Sequence, residues 1–324
     1  MPRHSAGASP TGAVKAIIPV GGLGTRLRPH TLTTPKVLLH VAGKPILAHV
    51  LDELIAAGIG EVVLVTGYLG EQIQEWVRAN YDIPSAFVEQ REPLGNGHAV
   101  YVARHHLDGA PVLVLFGDTI IRTHLPELLA RSESSACVKE VPDPRRFGVA
   151  EVDAGGYITR LVEKPEHPAS NLALVGCYLI RRSAALADAL VRMVQEERQV
   201  RGEYWLADAM QLMIDAGERL RTFPINHWYD CGTVEALLVA NRELLDLSPP
   251  AAPTIPGVVV HEPVAVDPAA RISDSVIGPH ASVGAGAVIR GAVVRDAIVH
   301  PGALIDRAVV SGAVIGEGAR IAGS

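Results

Sequence analysis

The chain has 324 residues, of which 48% are hydrophobic and 20% are charged, and its formal net charge is -6. This composition is typical of a globular protein and argues against a disordered or fibrous one. The negative charge argues against a broad basic surface for nucleic acid, although it leaves room for a local basic pocket that binds phosphates.

Cysteine is scarce, and its pattern bears on the cellular compartment. Cys137, Cys177 and Cys231 stand far apart, without a C-x-x-C pair or an even set that would indicate disulfides. Residues 1–12 lack the apolar run of a secretion signal, and no apolar stretch reaches the roughly 18 to 20 residues that cross a bilayer. We therefore expect a cytoplasmic protein with neither membrane nor nucleic acid as a partner.

From residue 14 onward, apolar runs alternate with segments of helical spacing. The runs lack polar alternation, which is typical of strands buried on both faces of a parallel sheet. The predicted strands are Val14–Val20, Glu61–Thr66, Ser85–Glu89 and Pro111–Phe116, and the predicted helices are Ile46–Ala57, Gly70–Ala79 and Asn96–His106. This order predicts an α/β fold with a Rossmann-like, doubly wound sheet and crossover helices.

Beyond Asp118, strands follow one another more directly. The predicted strands are Ala136–Val141, Gly148–Val152, Tyr157–Val162 and Leu172–Ile180, and the predicted helices are Ala184–Glu197, Tyr204–Ala216 and Val234–Leu247. The turn sequence Asp153-Ala154-Gly155-Gly156 predicts a hairpin between the second and third of these strands. The sheet is therefore predicted to be mixed in its second half.

Residues 248–256 are too rich in proline for a helix or a central strand. After them, aliphatic residues recur every five or six positions, at Ile277, Val283, Ile289, Val294, Val299, Ile305, Val310, Ile315 and Ile321. This period fits neither a helix nor an alternating strand. It predicts a short left-handed parallel β-helix of hexapeptide repeats, in which the aliphatic side chains stack in a narrow prism.

These segments define the predicted domains. They are a disordered tail over residues 1–13, an α/β domain over residues 14–247, a proline-rich linker over residues 248–256 and the β-helix over residues 257–324. The open end of a stack of coils exposes strand edges and aliphatic surface, and we therefore expect a homo-oligomer.

The segment richest in chemical signals follows the first predicted strand. It reads Gly21-Gly22-Leu23-Gly24-Thr25-Arg26-Leu27-Arg28-Pro29, with Thr34-Pro35-Lys36 shortly after it. The chain turns here at the carboxyl edge of the sheet, where glycines allow backbone amides to approach phosphate oxygens. Arg26 and Lys36 can add positive charge for a triphosphate. The segment lacks the third glycine of a dinucleotide-binding fingerprint and the G-K-[ST] of a Walker loop.

This segment resembles the G-G-x-G-T-R-L-x-P-x-T-x-x-x-P-K signature of the sugar-1-phosphate nucleotidyltransferases. The resemblance covers nearly the whole chain, from Lys15 to the C-terminal repeats. It implies that Arg26 and Lys36 are catalytic. It also implies that the nucleotide is bound by Gly21, Gly22, Gly24 and Thr25.

Two further motifs imply a metal site. Phe116-Gly117-Asp118 resembles the G-D element of the family, and Trp228-Tyr229-Asp230-Cys231-Gly232-Thr233 resembles its W-x-D-x-G-T element. The resemblance implies that Asp118 and Asp230 bind Mg²⁺. Mg²⁺ prefers oxygen ligands and is commonly held by one or two carboxylates together with substrate phosphates.

The sugar site is implied by Glu163-Lys164-Pro165, which resembles the E-K-P motif of the family. By this resemblance, Lys164 is catalytic and contacts the sugar phosphate, and Glu163 holds sugar hydroxyls. Gly148 and Val175 match positions that line the same site. The segment from Gly202 to Ala209 resembles another of its walls.

Base selection is implied at Gln90 and Gly95. Family members that use UTP or dTTP resemble this chain in having glutamine five residues before the glycine, and a carboxamide offers both a donor and an acceptor to the imide edge of uracil or thymine. The nearby His98 is predicted to be structural.

The resemblance implies in-line attack of a sugar 1-phosphate on the α-phosphorus of a nucleoside triphosphate, with release of pyrophosphate. The first choice is thymidylyl transfer to glucose 1-phosphate, and uridylyl transfer is close behind. The alternatives are a mannose-1-phosphate guanylyltransferase and a bifunctional uridylyltransferase/acetyltransferase, which has the same order of domains.

Overall fold

The computed structural model describes residues 4–5 and 14–323. These fall into two compact units. The first, here called the sheet unit, comprises Met1–Leu23 and Val50–Trp228, and the second, the β-helix unit, comprises Gly24–His49 and Tyr229–Ser324.

The predicted tail over residues 1–13 lies outside the described residues, except for His4–Ser5. These two residues form a short strand that pairs in parallel with Tyr81–Asp82. The limits predicted for the α/β domain, the linker and the β-helix stay predictions.

The sheet unit contains a nine-stranded mixed sheet. In spatial order its strands are Ile158–Glu163, Gly148–Val152, Leu172–Ile180, Val112–Leu115, Lys15–Pro19, Val62–Thr66 and Ser85–Glu89, while Ser134–Glu140 pairs with both Leu172–Ile180 and Leu220–Pro224. The strand Lys15–Pro19 is parallel to both of its neighbours. The direction changes where Leu172–Ile180 pairs antiparallel with Val112–Leu115. The predicted change from a parallel to a mixed arrangement is therefore confirmed.

Helices cover the segments that the sequence predicted to be helical, and one further short helix, Leu125–Leu129, was not predicted. They are Ile46–Ala56, Gly70–Asn80, Asn96–Val102, Leu125–Leu129, Ser183–Gln195, Leu206–Asp215 and Val234–Leu247, with 3₁₀ turns at Thr25–Leu27, Lys36–Leu38 and Arg104–His106. The helix predicted to reach His106 ends at Val102 and continues as a 3₁₀ turn, a common way for a helix to tighten at its end. Across residues 4–5 and 14–323, no helix is both long and apolar enough to span a bilayer.

The hydrophobic core of the sheet unit joins strands to helices. Val63 and Val114 from the central strands cluster with Val100, Leu190 and Met210 from three helices, and all five are 0% exposed. The strands are buried because helices supply apolar faces to the sheet, as the uninterrupted apolar runs of the sequence predicted.

The C-terminal residues of the β-helix unit form a parallel β-helix. Its strands are Val259–Val260, Val264–Val266, Arg271–Ser273, Val276–Ile277, Ala281–Val283, Val288–Arg290, Val293–Val299, Leu304–Asp306, Val309–Ile315 and Arg320–Ala322. Ile289 pairs in register with Ile305, and Ile305 with Ile321, so that like side chains stack along one face. The predicted fold class, a Rossmann-like mixed sheet with an appended parallel β-helix, is confirmed.

A cluster of three histidines lies in the β-helix unit. The ring centroid of His300 is 6.2 Å from that of His30 and 6.1 Å from that of His40. His300 is only 3% exposed, and its Nε2 is buried without a hydrogen-bond partner. Burial, together with the two neighbouring imidazoles, lowers the pKa of His300 to about 3. His300 is therefore neutral at physiological pH.

Candidate active site

Glycines at the carboxyl edge of the sheet let three backbone segments approach closely. A Cβ atom on Gly21 would lie 2.9 Å from the Gly67 nitrogen, and a Cβ on Gly67 would lie 2.9 Å from the Gly21 oxygen. The N–H of Gln90 donates to the Thr66 carbonyl at 2.8 Å. A Cβ on Gly22, in contrast, would meet no atom within 4 Å. The turn after the strand Lys15–Pro19 therefore packs against Gly67 at Gly21 and leaves space beside Gly22.

The side chain of Gln90 is fixed by the loop that follows it. Its Nε2 donates to the Gly95 carbonyl at 3.0 Å and lies 3.1 Å from Nδ1 of His98. Because the Gly95 carbonyl can only accept, this contact identifies the amide nitrogen. Burial lowers the pKa of His98, and a neutral imidazole can accept the second Nε2–H at Nδ1. His98 thus has the structural contact that its predicted role requires, and it orients Gln90.

Gly95 has a conformation and an environment that only glycine tolerates. Its φ is +98°, and a Cβ atom would lie 2.5 Å from the Tyr204 carbonyl oxygen. The loop is tied to the same segment by hydrogen bonds from Tyr204 N to Leu94 O at 2.8 Å and from Gly97 N to Tyr204 O at 2.9 Å. The loop that carries Gly95 is therefore held rigidly against the start of the helix Leu206–Asp215.

Asp118 lies three residues after the end of the central strand Val112–Leu115. The N–H of Gly117 donates to the Pro19 carbonyl at 3.0 Å, and a Cβ on Gly117 would lie 2.4 Å from Cγ1 of Val20. This close packing holds the half-buried Asp118 beside the end of the strand Lys15–Pro19. The carboxylate therefore lies at the sheet edge that also carries Gly21.

Gly148 and Glu163 face each other across a hairpin. They are register partners in the strands Gly148–Val152 and Ile158–Glu163, and a Cβ on Gly148 would lie 2.8 Å from Oε2 of Glu163. The Glu163 side chain is only 11% exposed. Its pKa is raised to about 7, chiefly by burial, with Asp208 and Glu203 adding to the rise and Lys164 opposing it. Glu163 therefore changes charge near neutral pH.

Lys164 lies between an acidic group and an aromatic ring. Its Nζ is 3.9 Å from Oε1 of Glu163 and 3.7 Å from the centroid of the Trp205 ring. The backbone N–H of Lys164 donates to the Phe147 carbonyl at 3.1 Å, and its φ is +45°. Val175 is 1% exposed and lies in the strand Leu172–Ile180, which pairs with the strand Gly148–Val152. Sequence analysis gave Trp205 no role of its own, because its contact with Lys164 depends on tertiary packing.

The β-helix unit carries the remaining predicted site residues. Gly24, at φ +61°, opens the 3₁₀ turn Thr25–Leu27 that contains Arg26. Lys36 is 8% exposed, and its Cβ would lie 3.2 Å from a Cβ built on Gly24. A Cβ on Gly232 would lie 2.8 Å from Nη2 of Arg26 and 3.1 Å from Oδ1 of Asp230. Arg26 and Asp230 therefore flank the same face of Gly232.

The predicted site residues thus form local groups. In the sheet unit, the structure brings Gly21 and Gln90 against the same residue, Gly67. It also brings Gly148 near Glu163 and Lys164. In the β-helix unit, it brings Gly24 near Lys36 and Arg26 near Asp230. Within residues 4–5 and 14–323, no group of three or more His, Cys, Asp or Glu is arranged to hold a metal ion. The roles given to these residues stay predictions.

Comparisons with known proteins place this arrangement in a family. The chain is 33% identical over 308 residues to a glucose-1-phosphate thymidylyltransferase from Streptomyces griseus, a match that covers 87% of this chain and 85% of that protein. It is 36% identical over 307 residues to a glucose-1-phosphate thymidylyltransferase from Streptomyces antibioticus, covering 86% and 85%.

Structural comparison agrees with the sequence matches. A crystal structure from Bacillus anthracis, provisionally assigned as a glucose-1-phosphate thymidylyltransferase and solved with sucrose, is similar with a TM-score of 0.61 and 27% identity. The similarity covers 72% of this chain and 96% of that one. The family model described as nucleotidyl transferase matches residues 15–246. The resemblance noted in the sequence is therefore confirmed, and the chain belongs to the nucleotidyl transferase family.

Proposed function

We propose that the chain transfers a nucleotidyl group from dTTP or UTP to a sugar 1-phosphate, with glucose 1-phosphate as the first choice, and releases pyrophosphate. The observation that carries the choice of base is the fixed carboxamide of Gln90. The names of the two Streptomyces relatives support thymidylyl transfer to glucose 1-phosphate. A cytoplasmic location and self-association stay predictions.

The hydrogen bonds of Gln90 favour a base with an imide N–H. Both Nε2 hydrogens have acceptors within the loop, at Gly95 and His98, which leaves Oε1 as the group that can meet a ligand. An acceptor at this position pairs with N3–H of thymine or uracil. Cytosine and adenine present a bare ring nitrogen at the corresponding place, so both should be rejected. Guanine also has a ring N–H there, and its exclusion must come from its larger ring.

The sugar 1-phosphate is proposed to lie beside Gly148, Glu163, Lys164 and Val175. Lys164 supplies a cation for the phosphate, and Glu163, once deprotonated, accepts hydrogen bonds from sugar hydroxyls. Glycine at position 148 keeps the backbone open beside the carboxylate, where a side chain would collide with Oε2. This group of residues therefore offers one cation and one titratable acceptor to a phosphorylated sugar.

In the proposed reaction, a phosphate oxygen of the sugar 1-phosphate forms a bond to the α-phosphorus while the bond to pyrophosphate breaks. The nucleophile is already an anion and needs no general base. Catalysis then consists mainly of aligning two polyanions and neutralising their charge. We assign these tasks to Arg26, Lys36 and Lys164, with Gly21, Gly22, Gly24 and Thr25 shaping the loop around the triphosphate.

We propose Mg²⁺ as the cofactor and Asp118 and Asp230 as its ligands. One or two carboxylates fit Mg²⁺, which usually completes its coordination with water and substrate phosphates. Asp118 suits the task because the packing of Gly117 fixes it at the sheet edge. When bound, the ion would neutralise charge on the phosphates.

The test is pyrophosphate release by the full chain with dTTP, UTP, CTP, GTP or ATP, each with a panel of sugar 1-phosphates. We expect activity with dTTP and UTP, and the Gln90→Glu variant should lose about 10- to 100-fold in kcat/KM for both. A carboxylate cannot donate to Gly95 or His98, so it would turn away from its present position.

Gln195→Glu is the matched control, because it introduces the same charge at an exposed position at the end of the helix Ser183–Gln195. It should retain wild-type kinetics. Activity confined to GTP with mannose 1-phosphate, or unchanged dTTP and UTP kinetics in Gln90→Glu, would contradict the proposed base selection.

A further inference from the structure

The indole ring of Trp205 lies over the ammonium group of Lys164, at 3.7 Å from the ring centroid to Nζ. At this distance a cation is attracted to the face of an aromatic ring by about 0.5 to 2 kcal/mol, depending on its exposure. The Lys164 side chain is 36% exposed, so the ammonium remains reachable from solvent. The Trp205 ring therefore attracts the Lys164 ammonium group strongly enough to affect where that group lies.

The other partner available to Lys164 is Glu163. Its Oε1 lies 3.9 Å from Nζ, which is too long for a charge-assisted hydrogen bond at about 2.7 to 2.9 Å. A lysine on a flexible stem next to a buried carboxyl would ordinarily close that gap. The two groups are thus neighbours without forming a close ion pair.

Trp205 is itself held firmly. Its indole Nε1–H donates to the Val200 carbonyl at 3.2 Å. On either side, Tyr204 N donates to Leu94 O at 2.8 Å, and Leu206 N donates to the Asn96 side chain at 2.8 Å. Hydrogen bonds therefore hold the backbone on both sides of Trp205. The side chain of Lys164, which reaches the ring, is flexible.

We propose that Trp205 is a positioning residue that holds the Lys164 ammonium away from a close ion pair with Glu163, so that both groups stay available to the sugar 1-phosphate. This inference rests on the proposed function of Lys164 and Glu163. Without the ring, Lys164 would move onto Glu163. The phosphate would then lose its cation, and the sugar would lose its acceptor.

The same movement would change how Glu163 titrates. Glu163 interacts with Lys164, Asp208, Glu203 and Tyr178, and of these only Lys164 favours its charged form. A closer ammonium lowers a carboxyl pKa by about one unit or more. Loss of the ring should therefore shift the acidic limb of the pH profile of kcat/KM for the sugar 1-phosphate to lower pH.

The experiment compares the pyrophosphate-release kinetics of wild type, Trp205→Leu and Trp205→Phe. Glucose 1-phosphate is varied at saturating dTTP, and dTTP is then varied at saturating glucose 1-phosphate. For Trp205→Leu we expect the KM for glucose 1-phosphate to rise about 3- to 30-fold, the range that corresponds to the cation–π attraction. The acidic limb should move down by about one pH unit. The KM for dTTP should stay as in wild type. Trp205→Phe keeps an aromatic face and should recover most of the affinity.

Trp76→Leu serves as the matched control, because Trp76 lies on the helix Gly70–Asn80 and its ring packs 5.6 Å from that of Tyr81. It should leave both KM values unchanged. A wild-type KM and pH profile in Trp205→Leu, or equal losses in Trp205→Phe and Trp205→Leu, would overturn the inference while the enzyme stayed active. A wild-type protein that turned over no sugar 1-phosphate would instead refute the proposed function, and the inference with it.

Discussion

The edge of the mixed sheet and the interior of the β-helix unit both bury titratable side chains, with opposite results. Burial raises the pKa of Glu163 to about 7, where a nearby lysine and two further carboxyl groups tune it. Burial lowers the pKa of His300 to about 3, and the neighbours of His300 are two other imidazoles. In both places the same physical penalty disfavours the charged form. At the sheet edge it creates a group that titrates near neutral pH, whereas in the β-helix unit it creates one that stays neutral.

If the two regions differ in this way, substitutions at the sheet edge should change activity more than stability. Asp118→Asn provides the largest expected effect. The substitution weakens the proposed Mg²⁺ site, and the loss of one electrostatic contact to the transition state commonly costs about 10²- to 10³-fold in kcat. We expect a loss of this size in pyrophosphate release, with a melting temperature close to that of wild type.

Asp188→Asn is the control for Asp118→Asn, because it removes the same charge from an exposed position on the helix Ser183–Gln195. It should retain wild-type kcat. Full turnover in Asp118→Asn would remove Asp118 from the proposed metal site. A large fall in melting temperature would show that this edge is built for stability instead.

A pair of glycines provides a second test, with a smaller expected effect on activity than Asp118→Asn. Gly95 and Gly109 have nearly the same φ, +98° and +97°, but a Cβ on Gly95 would lie 2.5 Å from the Tyr204 oxygen, whereas one on Gly109 would meet nothing within 4 Å. Alanine at either position is strained by its positive φ, at a cost of about 1 to 3 kcal/mol. At Gly95 the steric clash should add about 1 to 3 kcal/mol.

Urea unfolding of Gly95→Ala and Gly109→Ala measures this difference, and kinetics with dTTP measure its effect on the site. Only Gly95→Ala should raise the KM for dTTP, because its loop carries the carbonyl that fixes Gln90. Equal stabilities and equal KM values in the two variants would mean that the loop relaxes around the added methyl group.

Much of the fold could be predicted because its signals are local. The run from Val14 to Val20 contains a buried strand, and the five- to six-residue spacing of Val283, Ile289 and Val294 places side chains that are at most 1% exposed. The periodicity of apolar residues indicates which side chains are buried, because each apolar side chain must reach the core. The end of the helix after Val102 was missed, because a 3₁₀ continuation has no clear signal in the sequence.

The candidate site was predictable in its residue types and less so in its contacts. The motif containing Gln90 indicated a base contact, but only the fold shows that Gly95 and His98 engage the amide nitrogen. The contact between Lys164 and Trp205 joins residues that are distant in the chain, so no local pattern could reveal it. One shared site stays a prediction for the five charged residues, which are Arg26, Lys36, Asp118, Lys164 and Asp230.

The smallest expected effect concerns the β-helix unit and the pH dependence of stability. Unfolded His300 would titrate near its usual 6.5, whereas in the fold its pKa is about 3. Between these values the unfolded state binds more protons, so stability is fully present above pH 6.5 and falls as the pH drops toward 3. At pH 5 the loss attributable to His300 is about 2 kcal/mol.

His300→Gln and His300→Asn remove this proton while keeping a polar side chain at the buried position. The difference in unfolding free energy between pH 7.5 and pH 5, measured by urea denaturation, should be about 2 kcal/mol smaller in both variants than in wild type. His30 and His40 remain in the variants, and burial lowers the pKa of each, so part of the acid sensitivity should persist. Asp267 and Glu317 favour the charged form of His40 and make its share smaller. Parallel stability curves for wild type and both variants would show that His300 keeps its proton on folding, and the contrast with Glu163 would then disappear.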